Sequence, residues 1–110
     1  MKTIKQGDSY PLRMAIALNG QLIDDSTIYS VDTVEICLRD IRKEYHSDGS
    51  GEVSYENGVF SFPLTQKESF ALRSGKVDMD VRIKTINGWV QGLQKIERVE
   101  VAAAISRKEL

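Results

Sequence analysis

The chain has 110 residues, 41% of them hydrophobic and 28% charged, which bounds it to one globular domain able to bury roughly two-thirds of the surface its unfolded form exposes. A formal net charge of −1, with cations and anions interspersed, excludes the basic stripe expected of a nucleic-acid binder. The single cysteine, Cys37, excludes an internal disulfide, and no apolar run has the length of a membrane span.

The N-terminal segment MKTIKQGDSY lacks the apolar core of a signal peptide, so the expectation is synthesis in a cytoplasm without export by the general pathway. Two-residue alternation then dominates, the mark of strands with one buried face. Tyr10, Leu12, Met14, Ile16 and Leu18 share one face of a first strand, which ends at Asn19-Gly20. A polar connection, 24–30, leads to a second strand with Val34, Ile36 and Leu38 inward and Glu35, Cys37 and Arg39 on the other face. The longest irregular stretch is expected between Glu44 and Glu52.

Asn57-Gly58 suits a two-residue hairpin turn of type I′, which sets Tyr55 opposite Phe60 and Val53 opposite Phe62, all apolar. Thr65 and Glu68 have capping-box spacing, so a short crossover helix is expected between Thr65 and Ser74, with Gly75 as its left-handed stop. Val77, Met79, Val81 and Ile83 form the clearest alternating strand, interleaved with Asp78, Asp80, Arg82 and Lys84. A third Asn-Gly pair, Asn87-Gly88, predicts another two-residue turn with Ile83 opposite Gly92 and with Ile86 and Trp89 together at the outward tip. The phase slips after Leu93, which predicts a bulge between Gly92 and Glu97. A last strand carries Val99, Val101, Ala103 and Ile105 on one face.

The residue types that carry chemistry do not assemble into a constellation. His46 is the only histidine; without a second His or Cys nearby it reads as a solvated loop residue rather than a zinc ligand or general base. Asp48-Gly49-Ser50-Gly51-Glu52 lacks the alternating ligands of a calcium loop and reads as turn chemistry. Asp78 and Asp80 alternate outward among cations, which favours an ion-pair ladder over acid–base catalysis. Cys37 reads as a small core hydrophobe if both faces of its strand are covered; a reactive thiol would need an electropositive setting, which the adjacent Glu35 and Arg39 do not decide. No catalytic, cofactor-binding or metal residues are assigned, and the expectation is that the chain is not an enzyme. Ile86 and Trp89 have two readings. The simpler expectation is that their side chains close one end of the core; the other is an exposed apolar anchor, which makes them the candidate protein-contact residues because Trp is enriched at binding hot spots.

Three segments carry a family resemblance. Gly7-Asp8-Ser9-Tyr10-Pro11-Leu12 resembles the "GD-x-x-P-L" entry of small tail and baseplate proteins of phages of Gram-positive bacteria. Phe62-Pro63-Leu64-Thr65-Gln66-Lys67-Glu68, followed by Val81-Arg82-Ile83-Lys84 and Asn87-Gly88, is similar to the second half of the N-terminal domain of baseplate upper proteins. Ile105 to Leu110 ends in the style of such domains. The resemblance implies an immunoglobulin-like sandwich that serves as an assembly module in a virion.

The expected fold is therefore all-β: an immunoglobulin-like antiparallel β-sandwich of about seven strands with one short crossover helix, residues 1–110 forming a single domain. The expected function is a phage or prophage structural role, in tail, baseplate or head–tail accessory position. It would act through contacts with other virion proteins or with itself as a homo-oligomer, without cofactor, nucleic acid or membrane. The alternative is a carbohydrate-binding or adhesin-like module, for which Tyr29, Tyr45, Tyr55 and Trp89 are the available aromatics.

Overall fold

A computed structural model describes residues 2–92 and 97–110. Its strands are β1 (Lys2–Lys5), β2 (Tyr10–Met14), β3 (Ala17–Leu18), β4 (Gln21–Leu22), β5 (Val31–Leu38), β6 (Ile41–His46), β7 (Ser54–Glu56), β8 (Val59–Leu64), β9 (Gly75–Thr85), β10 (Val90–Gly92) and β11 (Glu97–Ala102). Among the described residues one α-helix, α1 (Gln66–Ala71), connects β8 to β9, and a 3-10 turn (Ile28–Ser30) precedes β5. The fold is an all-β sandwich.

One sheet runs β1-β11-β9-β5-β6, with β10 also on β9; the second runs β2-β8-β7; β3 and β4 form a small hairpin of their own. This is the immunoglobulin arrangement: β2, β8 and β7 stand in the places of strands B, E and D, and β5, β9 and β11 in those of C, F and G. Among the described residues all the ladders are antiparallel except one, because β1 lies parallel to β11. The inward faces of the two main sheets meet in a single core that includes Val34, Ile36, Leu38, Phe60, Phe62, Val81 and Val99.

Alternation fixes this core. Val77, Met79, Val81 and Ile83 are all buried, while Asp78, Asp80, Arg82 and Lys84 between them are exposed. Tyr55 pairs with Phe60 across the Asn57-Gly58 turn, both turn residues having positive φ (49° and 85°). Tyr45 closes over the same spot, its ring centroid 5.5 Å from that of Phe60 in an edge-on contact. The strand expected from Tyr10 to Leu18 is divided, because β2 follows β8 only as far as Met14 and β3 then turns back on β4.

Helix α1 has the full capping box. Thr65 Oγ1 accepts from the Glu68 N–H (3.1 Å), and Glu68 Oε1 accepts from the Thr65 N–H (2.9 Å). The helix stops earlier than expected, at Ala71, where Leu72 turns extended to bury its side chain; Gly75, with φ 110°, opens β9 instead of ending the helix. Lys43 on β6 reaches across to α1 and β8, with Nζ 2.9 Å from Glu68 Oε1, a hydrogen bond to the Pro63 carbonyl and the Phe62 ring beneath it. One lysine thus clasps the open side of the sandwich.

The Gly7-Asp8 turn owes its form to the same helix. Gly7 takes φ 91°, and a Cβ there would sit 2.8 Å from Phe70 Cζ, so only glycine fits. Its N–H donates to the buried Ser69 hydroxyl (2.9 Å), whose oxygen also lies 2.8 Å from the Asp8 carbonyl. The last strand ends at Ala102: Ala103 is exposed and Ile105 fully so. The alternation continues past that point, but β9 begins at Gly75, opposite Val101, and offers no backbone beyond it.

Candidate functional site

The β9–β10 hairpin forms the candidate contact. Its ladder pairs Lys84 with Val90 and Ile83 with Gln91, one residue away from the expected register. The loop is three residues long, 86–88, closed by Gly88 N–H to Thr85 O and Thr85 N–H to Trp89 O, both 2.9 Å. Gly88 has φ 89° while Asn87 is not left-handed, which is the type I turn with a glycine bulge rather than type I′. The cause is non-local. The Ile86 N–H donates to the Ser30 carbonyl at 3.0 Å and is withdrawn from cross-strand pairing with Trp89.

This geometry leaves Ile86 63% and Trp89 75% exposed, so neither side chain closes the core. Val90 beside them is 61% exposed, and Tyr29, next to the Ser30 that anchors the loop, is 74% exposed. Tyr29 and Val90 belong to the same apolar end, although the sequence reading did not place them there as contacts. The only local signal was Val90 following Trp89; Tyr29 arrives through the Ile86–Ser30 hydrogen bond. The bulge expected between Gly92 and Glu97 has residues 93–96 outside the described residues. On either side of it the ladder changes from Gly92↔Arg82 to Glu97↔Met79, an advance of five residues against three.

The aromatics proposed for a glycan site separate into two groups. Tyr45 and Tyr55 are half-buried and packed on each other and on Phe60, with centroids 5.1–6.4 Å apart. Tyr29 and Trp89 alone remain outward at one end.

The outer face of the larger sheet carries an ion-pair cluster that the sequence did not single out. Glu35 on β5 is 8% exposed, held between Arg42 on β6 and Arg82 on β9, whose Nε lies 2.8 Å from Glu35 Oε1. Arg42 also binds Glu44. The hydrogen bond from Arg42, reinforced by Arg82, holds the Glu35 carboxyl below its ordinary range despite burial. Register is the signal that would have found it, since Arg82, Glu35 and Glu44 form one cross-strand row.

His46 stands at the end of β6 rather than in a loop, with Nε2 3.0 Å from Glu44 Oε1 and Nδ1 3.4 Å from Thr33 Oγ1. The expected long loop is accordingly shorter, beginning after His46. Gly51 within it is held against β6, where a Cβ would meet the Glu44 carbonyl oxygen at 2.1 Å. Asp48 accepts from the Ser50 N–H (2.9 Å) and hydroxyl (2.6 Å), which lowers its pKa and completes a turn. Asp78 is two-thirds exposed and faces Arg98 at 3.5 Å. Cys37 is half-buried between Arg42 and Asp80; burial first, then Glu35, pushes its thiol pKa up, the opposite of activation.

Among the described residues no three His, Cys, Asp or Glu side chains gather in a metal-binding group, and no helix is long and apolar enough to cross a membrane. No protein family, curated protein or solved structure matches the chain.

Proposed function

We propose that this chain is a non-enzymatic structural protein of a phage or prophage virion, in tail, baseplate or head–tail accessory position, working through protein–protein contacts. The observation that carries the contact role is the exposure of Trp89 and Ile86 on a hairpin tip whose backbone is fixed by Ser30. A rigidly mounted Trp is the residue type that dominates binding energy at interfaces. The virion assignment is supported by the Gly7–Leu12 and Phe62–Glu68 motifs and by the immunoglobulin-like sandwich that the resemblance implies.

Multi-angle light scattering across a concentration series tests the reading. A discrete oligomer that Trp89→Ala disperses, with the circular dichroism unchanged, is the expected result. A strict monomer, or an oligomer indifferent to Trp89→Ala, would count against this contact. Tyr29 and Trp89 at one end also keep a carbohydrate-binding reading open to a glycan array, where binding lost in Trp89→Ala would move the function to that class.

A further inference from the structure

The exposed apolar side chains are distributed unevenly over the molecule. Nine large ones are exposed among the described residues. Six of these, Leu22, Tyr29, Val59, Ile86, Trp89 and Val90, lie where β9 ends and β10, β5 and β8 begin. Tyr10, Ile105 and Leu110 lie at the opposite end, beside α1 and the end of β11. Between the ends, the outer face of the larger sheet contributes none among the described residues, being occupied by Glu35, Arg42 and Arg82, which Val90 borders from the Trp89 end.

Charge divides along the same axis. The loops at the Trp89 end, 15–30, 47–53, 57–58 and 86–89, carry Asp24, Asp25, Asp48 and Glu52 and no Lys or Arg. The loops and helix at the opposite end carry Arg39, Lys67, Arg73, Arg107 and Lys108 against four acids, one of which, Glu68, is neutralised by Lys43. At the strand termini of the first end Asp32 and Glu56 are balanced by Arg13 and Lys84, whereas the second end adds Lys5 and Lys76. Arg39, Lys67, Arg73 and Lys108 are exposed, and none is in an ion pair among the described residues.

A two-fold contact between Trp89 ends would press acidic rims together. A contact of the Trp89 end of one copy with the Ile105 end of the next opposes unlike charges and covers apolar surface on both. Such a contact is heterologous, so it repeats: it closes into a ring if the rotation permits and otherwise grows as a filament. On this basis, and resting on the assembly role proposed above, we propose that the occupant of the Trp89 end is a second copy of this chain, docked head to tail through its Ile105 end.

Two variants test it, both altered at exposed side chains so that the fold is retained, as circular dichroism would verify. The tip variant is Trp89→Glu; the tail variant is Ile105→Glu with Arg73→Glu. Wild-type chain should gain mass with concentration, and its single tryptophan, Trp89, should shift its emission to shorter wavelength in step. Each variant alone should stay monomeric at concentrations at least tenfold above those at which the wild type associates. Mixed in equal amounts they should form dimers and nothing larger, because the mixture holds one intact tip and one intact tail per pair. Added salt should weaken the wild-type contact, since its rim charges are screened.

A tail variant that dimerises alone would overturn the head-to-tail geometry in favour of a tip-to-tip contact. Association unaffected by either variant would overturn the proposal while leaving an assembly role intact. A wild-type chain that stays monomeric throughout would overturn both the proposal and self-assembly as the form of that role.

Discussion

Ser69 shows how much one buried hydroxyl can organise. It is wholly buried, accepts the Gly7 N–H and faces the Asp8 and Gln66 carbonyls, thereby joining α1 to the turn between β1 and β2. Ser69→Ala should lower the unfolding free energy by about 1–2 kcal/mol, mostly because the Gly7 N–H loses its partner in a site closed to water. Urea denaturation reads this directly, and an unchanged midpoint would show that the amide finds another acceptor. The Gly7-Asp8 pair was legible in the sequence as a motif, but not as the partner of Ser69, since sixty-odd intervening residues separate them. Sequence alternation likewise assigned Glu35 to a polar face without revealing that two arginines would cover it.

At the scale of elements, local chemistry was reliable wherever the deciding contacts were local. The capping box and the Asn57-Gly58 turn, with Tyr55 opposite Phe60, formed as expected because their partners lie within a few residues. The expected Val53–Phe62 pair did not join the ladder, because the Val53 N–H donates to the Glu44 carbonyl. The Asn87-Gly88 hairpin took a different turn because Ser30, distant in sequence, claimed the Ile86 amide. The turn joining β5 to β6 carried no Asn-Gly signal at all; there Arg39 sits at φ 58°, a left-handed conformation that its Cβ disfavours. The Arg39 side chain is exposed, so Arg39→Asn should raise stability by about 0.5–1 kcal/mol, Asn being the non-glycine residue that best accepts this region. A thermal midpoint that falls instead would show that the arginine side chain offsets its own strain.

For the whole molecule, several carboxylates titrate below their ordinary values when folded. Glu35 is held down by Arg42 and Arg82, Asp24 by Ser26 and Thr27, and Asp48 by Ser50. In Glu68 burial pushes upward but is outweighed by Lys43 and the Thr65 N–H. A carboxyl with a depressed folded pKa stabilises the fold above its unfolded pKa, about 4. That contribution disappears as the pH falls through the folded value. The melting temperature should therefore be flat near neutrality and fall below about pH 4. Glu35→Gln should cost about 1 kcal/mol at pH 7, limited by the solvent exposure of both arginines. The gap between variant and wild type should close in acid, and a gap that persists there would assign the loss to packing rather than charge.

The parallel pairing of β1 with β11 sets Ile4 beside Val101, so one rung of the ladder joins nearly opposite ends of the chain. Closing that loop costs chain entropy before any contact within it is rewarded. The larger sheet cannot complete its β1 edge until β11 has been made and has found β9. A nascent chain emerging amino-terminus first therefore keeps Ile4, which is wholly buried in the finished fold, waiting for a partner encoded almost a hundred residues later. Synthesis order and assembly order run in opposite senses at this edge, and the first strand to be made is among the last that can be secured.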